Sequence, residues 1–140
     1  MKKRIAALAR VLLGLILLGA GFNGCLVIFG YPPLFPTSPA AMQLLQGYLL
    51  VLVKTTEVIC GLLLLANRWV PLALTVTAPV AVNILAFHLF VDHDLLLLGC
   101  LVAGLTIYLF GSYREHFLGL LAFSSPEGPD RKPRSRPASG

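Results

Sequence analysis

The sequence predicts an all-α membrane protein, a four-helix bundle with up-down topology. Of its 140 residues, 57% are hydrophobic and only 12% are charged, and the mean hydropathy is +0.85. Ordinary soluble domains carry about 25% charged residues, so this composition indicates a bilayer environment. Four apolar stretches are each near the roughly 20 residues that a membrane crossing needs. They cover residues 5–29, 48–66, 70–91 and 95–112.

Local signals mark where these stretches begin and end. The first stretch follows a basic start and continues to Phe29, which is too long for the apolar part of a cleaved signal peptide. Residues 30–47 contain four prolines and no charge, so a helix is expected to restart only at Pro39, where Ser38 is a suitable N-cap. A connecting loop is predicted here, and a lid over polar residues is the alternative. The third stretch begins after a tight polar turn at residues 67–68.

The basic residues predict the orientation of the chain. All of the eleven Lys and Arg residues except Lys54 lie near the N-terminus, at Arg68 or after residue 113. Basic residues favour the cytoplasmic side, so both termini are expected in the cytoplasm (N-in/C-in) and the protein in a bacterial inner membrane. The net charge of +5 is therefore explained by topology and indicates no nucleic-acid partner. Residues 1–123 form the predicted membrane domain, and residues 124–140 form a basic tail, rich in proline and serine, that is expected to be disordered.

Ionisable residues inside the second span are the strongest functional signal. Lys54 and Glu57 lie three residues apart, a spacing that places them on one helical face where they can form an ion pair. A charge at membrane depth costs at least a few kcal/mol, about 3 on insertion scales, so neither side chain is expected to face lipid. A buried ion pair seldom stabilises a fold more than apolar residues would. A binding role is therefore favoured over a purely structural one.

Three further polar residues complete the candidate pocket. Asn23 lies in the first span beside small residues, where an interhelical hydrogen bond is the alternative role. Asn83 follows Pro79 by one turn of the third span, and His88 lies near the end of that span, where a hydrogen bond to a loop is the alternative to ligand binding. At about 1.5 Å per residue, Asn23, Lys54 and Asn83 lie about 9–12 Å from the outer helix ends. We expect one pocket in the outer half of the bundle.

The remaining reactive side chains give weaker signals. Cys25, Cys60 and Cys100 are far apart, without a metal-ligand or dithiol spacing, and are expected to act as small hydrophobic residues. The His and Asp residues at positions 88–94 are expected to form a solvated turn rather than a metal site. The chain carries no haem ligand pair, no iron–sulfur cysteine set and no dinucleotide-binding fingerprint.

Four stretches of sequence carry a resemblance to a known family. These are GLILLGAGFNG in the first span, VKTTEVICGLLLLANRWVPLAL across the turn at 67–68, APVAVNILAFHLF in the third span and YLFGSYREHF after the fourth. Over about residues 8–118 the chain resembles the DoxX family of small membrane proteins. The resemblance implies four transmembrane helices and an association with thiol or oxidative-stress metabolism, since the family is named after a subunit of a thiosulfate:quinone oxidoreductase. Glu57, Asn83 and His88 match polar positions of the family pattern, but no catalytic role accompanies them.

These observations lead to one functional expectation and two alternatives. We expect a helper subunit of a quinone- or thiol-linked redox system, whose pocket binds a quinone-like or other small amphiphile. Glu57 is expected to hold a proton, Lys54 to set its charge, and Asn83 and His88 to donate hydrogen bonds. We expect no covalently bound cofactor and no metal. We expect an oxidoreductase as the partner protein. The alternatives are a small solute transporter acting as an oligomer and a membrane scaffold without catalysis.

Overall fold

The structure is all-helical over the part of the chain that it describes. It is a computed structural model that describes residues 1–121. The helices of this part are α1 (Lys2–Ile28), α2 (Pro39–Leu44), α3 (Gly47–Leu65), α4 (Val70–Phe90), α5 (Leu96–Ser112) and α6 (Arg114–Leu121). The predicted all-α class is confirmed. The predicted tail at residues 124–140 lies outside the described residues.

Three of the helices are long and apolar enough to cross a membrane. These are α1, α3 and α4, and α5 is a shorter apolar helix of 17 residues. Many large apolar side chains point away from the protein interior, which is the arrangement expected of helices surrounded by lipid. The protein is therefore a multi-pass membrane protein.

The four longer helices pack against one another around a core of leucine, valine and alanine. Helix α1 packs against α3 and α5, and α4 also packs against α3 and α5, so each helix has two neighbours. Leu13 and Leu17 of α1, Leu64 of α3, Leu74 of α4 and Leu109 of α5 are almost completely buried. Each of the four helices thus contributes a leucine to one continuous interior.

Glycine allows α1 and α3 to approach closely. A Cβ added to Gly61 of α3 would lie 2.8 Å from Leu18 N and 2.9 Å from Gly14 O, both backbone atoms of α1. A Cβ added to Gly21 would lie 2.7 Å from Val58 Cγ2. These glycines therefore let α3 pack closely against α1.

Two helices end where a residue adopts a positive φ. Gly30 (φ 79°) follows the C-cap of α1, and Tyr31 N donates to Leu26 O at 2.8 Å. Asn67 (φ 54°) follows the C-cap of α3, and Arg68 N donates to Leu63 O at 3.0 Å. Both ends are Schellman motifs, which satisfy carbonyls that a helix end leaves unpaired. The tight turn predicted at residues 67–68 is confirmed.

One pair of small residues in α5 does not mark a contact between helices. Cys100 and Gly104 of α5 form a small-residue pair of the kind that brings helices together, yet Cys100 is exposed and a Cβ on Gly104 would meet nothing within 4 Å. The buried face of α5 instead carries Gly99, Val102, Thr106 and Leu109. A small-residue spacing alone does not identify which face of a uniformly apolar helix turns inward.

Candidate functional site

A partly open cavity lies among the helices, and the predicted site residues line it. Its volume is about 930 Å³, and its walls come from α1, α2, α3, α4 and α5 and from the segment that precedes α2. The lining is mostly apolar. It includes every residue predicted for the pocket, namely Asn23, Lys54, Glu57, Asn83 and His88. Residues from three helices thus meet around one space.

The charged pair of α3 forms the most polar part of the wall. Lys54 Nζ donates to Glu57 Oε2 at 2.8 Å, as the spacing predicted. The side chain of Glu57 is 3% exposed and that of Lys54 is 15% exposed, so the lysine is the more accessible member of the pair. The lysine stem reaches this position because it passes over Gly24 of α1, where an added Cβ would overlap the Lys54 side chain. Glycine at residue 24 therefore makes room for the ion pair.

His88 is held in a single orientation by the turn that follows α4. Its Nδ1 lies 2.9 Å from the backbone carbonyl oxygen of Asp92. A carbonyl only accepts hydrogen bonds, so Nδ1 carries the proton and donates. In the neutral ring Nε2 is then an acceptor. The hydrogen bond to a loop, which was the alternative role for His88, is present in the structure, and it leaves Nε2 of a neutral ring as the nitrogen that faces a ligand.

Asn23 fastens the segment between α1 and α3 over the cavity. Its Oδ1 accepts from Phe35 N at 3.0 Å, and its Nδ2 donates to Phe35 O at 3.3 Å and to Thr37 Oγ1 at 3.4 Å. The residue was expected to bond to a neighbouring helix or to a ligand. Its amide instead bonds to a loop twelve residues away in sequence.

Residues 31–46, which we call the lid, form one wall of the cavity rather than a plain connection. Phe35, Thr37, Met42 and Leu45 are among the lid residues that line it. Ser38 caps α2 by accepting from Ala41 N at 3.4 Å. The sequence predicted a connecting loop here, with a lid over the polar residues as the alternative, and the structure shows the lid.

The lid also approaches the turn between α4 and α5. The Ser38 hydroxyl beside Asp92, with the backbone N–H of Asp94, holds the pKa of the Asp92 carboxyl below its usual value. Because the carboxyl pKa is lowered in the folded protein, this contact stabilises the fold at pH values above the usual carboxyl pKa. The stabilisation is lost as the pH falls through the lowered pKa. Because the carbonyl of Asp92 also orients His88, the lid and the histidine share one anchor.

Asn83 differs from the other candidates because it lies at the edge of the cavity. Its side chain is exposed, whereas those of Glu57 and His88 are buried. Pro79, one turn earlier in α4, lines the same wall. The Asn83 amide therefore lies at the rim of the cavity one turn after Pro79, a residue that cannot donate a backbone hydrogen bond within the helix.

Taken together, the polar groups can hold an uncharged polar ligand. Lys54 supplies donors, Glu57 and neutral His88 supply acceptors, and Asn83 supplies both. The lysine and the glutamate cancel each other's charge. In residues 1–121 no cluster of three His, Cys, Asp or Glu side chains suitable for a metal occurs, and the three cysteines are free.

Arg10 is a buried polar residue that the sequence interpretation missed. It was counted with the basic N-terminus, yet it is 9% exposed, and its Nη1 donates to Leu64 O near the end of α3. Its Nε has no partner among the described residues. The signal was present in the spacing, since Arg10 repeats at helical intervals with Leu13, Gly14 and Leu17 on the buried face of α1.

Comparisons with protein-family models, with curated proteins and with solved structures find no match to this chain. The class of protein is defined by its fold and its site: a multi-pass membrane protein, helical over residues 1–121, with a mostly apolar cavity among its helices that several polar side chains line.

Proposed function

We propose that this chain is a DoxX-like protein of the bacterial inner membrane that crosses the bilayer four times with both termini in the cytoplasm. Helix α5 serves as the fourth crossing. The distribution of basic residues supports this orientation, because the segments between α1 and α3 and between α4 and α5 contain no Lys or Arg. In this orientation the lid and the His88 anchor face the periplasm, and the cavity occupies the outer half of the bundle.

The cavity binds a small amphiphile such as a quinone, and the protein acts as a membrane subunit or helper of a quinone- or thiol-linked redox system. Glu57 holds or accepts a proton at the ligand, and Lys54 sets the charge of that carboxylate. Asn83 donates a hydrogen bond at the rim, and Nε2 of His88 accepts one from a hydroxyl group of the ligand, such as that of the reduced quinone. Electrons come from a partner oxidoreductase or from the ligand itself.

One observation carries this proposal: five polar residues from three helices line a single cavity of about 930 Å³. Pockets for small ligands and cofactors have volumes of roughly 300–1,000 Å³ and combine apolar walls with a few polar groups. A scaffold needs neither the space nor an ion pair beside it. Intramembrane charges that face a cavity are more commonly functional.

The compounds that co-purify with the protein in mild detergent test the proposal. We expect the wild type to retain a specific small molecule and Glu57→Gln to lose most of it, because the substitution removes the carboxylate but keeps its shape. Glu115→Gln is the matched control, since it makes the same change at an exposed position of α6. Identical extracts from all three proteins would leave only the scaffold hypothesis.

A further inference from the structure

A second concavity adjoins the cavity on the outside of the protein. It is an open groove of about 620 Å³ between α2 and α4. Leu44, Pro79, Asn83 and Phe87 line both the groove and the cavity. These four residues therefore border both spaces, and we call this boundary the side opening.

The groove lies on the outer surface of the bundle and is apolar apart from Asn83. Beyond the side opening it is lined by Val82, Ala86, Phe90 and Val91 of α4. Val82 is 67% exposed and Phe90 is 83% exposed. In a bilayer this surface contacts hydrocarbon, so the groove suits an aliphatic chain and the cavity suits a polar group.

The charges of the cavity restrict the polar group. Lys54 is already paired with Glu57 at 2.8 Å, so an anionic head would have to separate this pair or lie beside a buried carboxylate. A cationic head would compete with Lys54 for the same oxygen. An uncharged head that bears hydroxyl groups can accept from Lys54 and donate to His88 Nε2 or to Glu57 without either cost.

We infer that the ligand is a membrane-dissolved amphiphile with an uncharged, hydroxyl-bearing head and an aliphatic tail. The head lies in the cavity, and the tail leaves through the side opening and lies in the groove between α2 and α4. Access is lateral, from the hydrocarbon of the bilayer. This inference rests on the proposed function, because it requires the cavity to be a ligand site.

Photolabelling in phosphatidylcholine nanodiscs tests the inference. The probe is a monoacylglycerol whose acyl tail carries a diazirine, and the labelled residues are mapped by peptide mass spectrometry. We expect labels to concentrate on residues 79–91 and 39–47. An unlabelled monoacylglycerol should compete at least tenfold better than the fatty acid with the same tail.

Two variants separate the groove from the cavity. Val82→Trp fills the groove and is expected to lower labelling at least fivefold, whereas Val76→Trp, at an exposed position of α4 that lines neither space, should not. Glu57→Gln should lower labelling through the head group. Labels spread evenly around the protein would overturn the inference.

The combinations of results distinguish the two proposals. If Glu57→Gln lowers labelling and Val82→Trp does not, the cavity is a ligand site and the groove assignment is wrong. If only Val82→Trp lowers labelling, the head group does not lie at the ion pair, which also overturns the inference. If neither variant has an effect, the proposed function fails as well.

Discussion

Gly61 is the residue at which the closeness of α1 and α3 can be tested most simply. An added Cβ would approach two backbone atoms, Leu18 N and Gly14 O, that cannot rotate away. We expect Gly61→Ala to lower the free energy of unfolding by about 1–3 kcal/mol, the usual cost of overpacking. Thermal unfolding in detergent measures it. Gly104→Ala, where nothing lies within 4 Å, is the control, and equal stabilities of the two variants would contradict the packing described here.

The ion pair of Lys54 and Glu57 should respond asymmetrically to substitution. Lys54→Met leaves a carboxylate that is 3% exposed without a partner, whereas Glu57→Gln leaves an ammonium that still reaches the cavity. We expect Lys54→Met to be the more destabilising by roughly 1–3 kcal/mol, because an unpaired buried charge is costly. The double variant should recover much of the loss. A double-mutant cycle of unfolding free energies measures the coupling, and purely additive effects would contradict a mutual pair.

For single residues, the sequence predicted which side chains meet better than it predicted how buried each side chain is. The spacing of Lys54 and Glu57 predicted their contact because a helix fixes which neighbours meet. The environment of Arg10 was missed because an arginine near the N-terminus also satisfies the topology rule, and only its period with the buried leucines reveals its burial. The tautomer of His88 could not be predicted, since it depends on a carbonyl in the following turn.

The lid is hydrogen-bonded to α1 through one side chain, that of Asn23. Asn23→Ala removes the acceptor of the Phe35 amide and the donor to the Phe35 carbonyl. We expect hydrogen exchange of peptides covering residues 31–38 to accelerate several-fold, while the amides that close α1 at Gly30 and Tyr31 remain protected. Exchange measured by mass spectrometry in detergent reports both.

Thr37→Val provides the matched control for the lid prediction. It removes the hydroxyl that receives the Asn23 Nδ2 donor at 3.4 Å but keeps both backbone bonds to Phe35. We therefore expect a much smaller change in exchange than for Asn23→Ala. Unchanged exchange in Asn23→Ala would show that the lid is held by its other contacts and that Asn23 does not fasten it.

The ends of the helices could be predicted from the sequence, but the surface that the lid covers could not. Pro39 after Ser38, and Asn67 after an apolar run, are local signals that act within one helical turn. The lid is placed by hydrogen bonds between residues twelve or more apart, which leave no pattern in a single sequence. Its four prolines excluded a helix but did not indicate which surface it covers.

For the whole molecule, composition predicted the membrane environment because lipid-facing helices must be apolar on their outer surfaces. It did not predict which face of α5 packs inward, because that helix is apolar on all sides and has no polar stripe to mark its exposed face. The cavity follows from how far apart four helices pack, a property of the assembled bundle. The sequence indicated only that the polar residues of the membrane spans should face away from lipid.

Filling the cavity without altering its polar groups tests the central claim most directly. Gly19 lines the cavity and a Cβ there would meet nothing within 4 Å, whereas Gly104 has the same free space but does not line the cavity. Native mass spectrometry measures the fraction of protein that retains its small molecule. We predict that Gly19→Phe loses that molecule while Gly104→Phe retains it at the wild-type level. Equal retention by the two variants would contradict a ligand site among these helices.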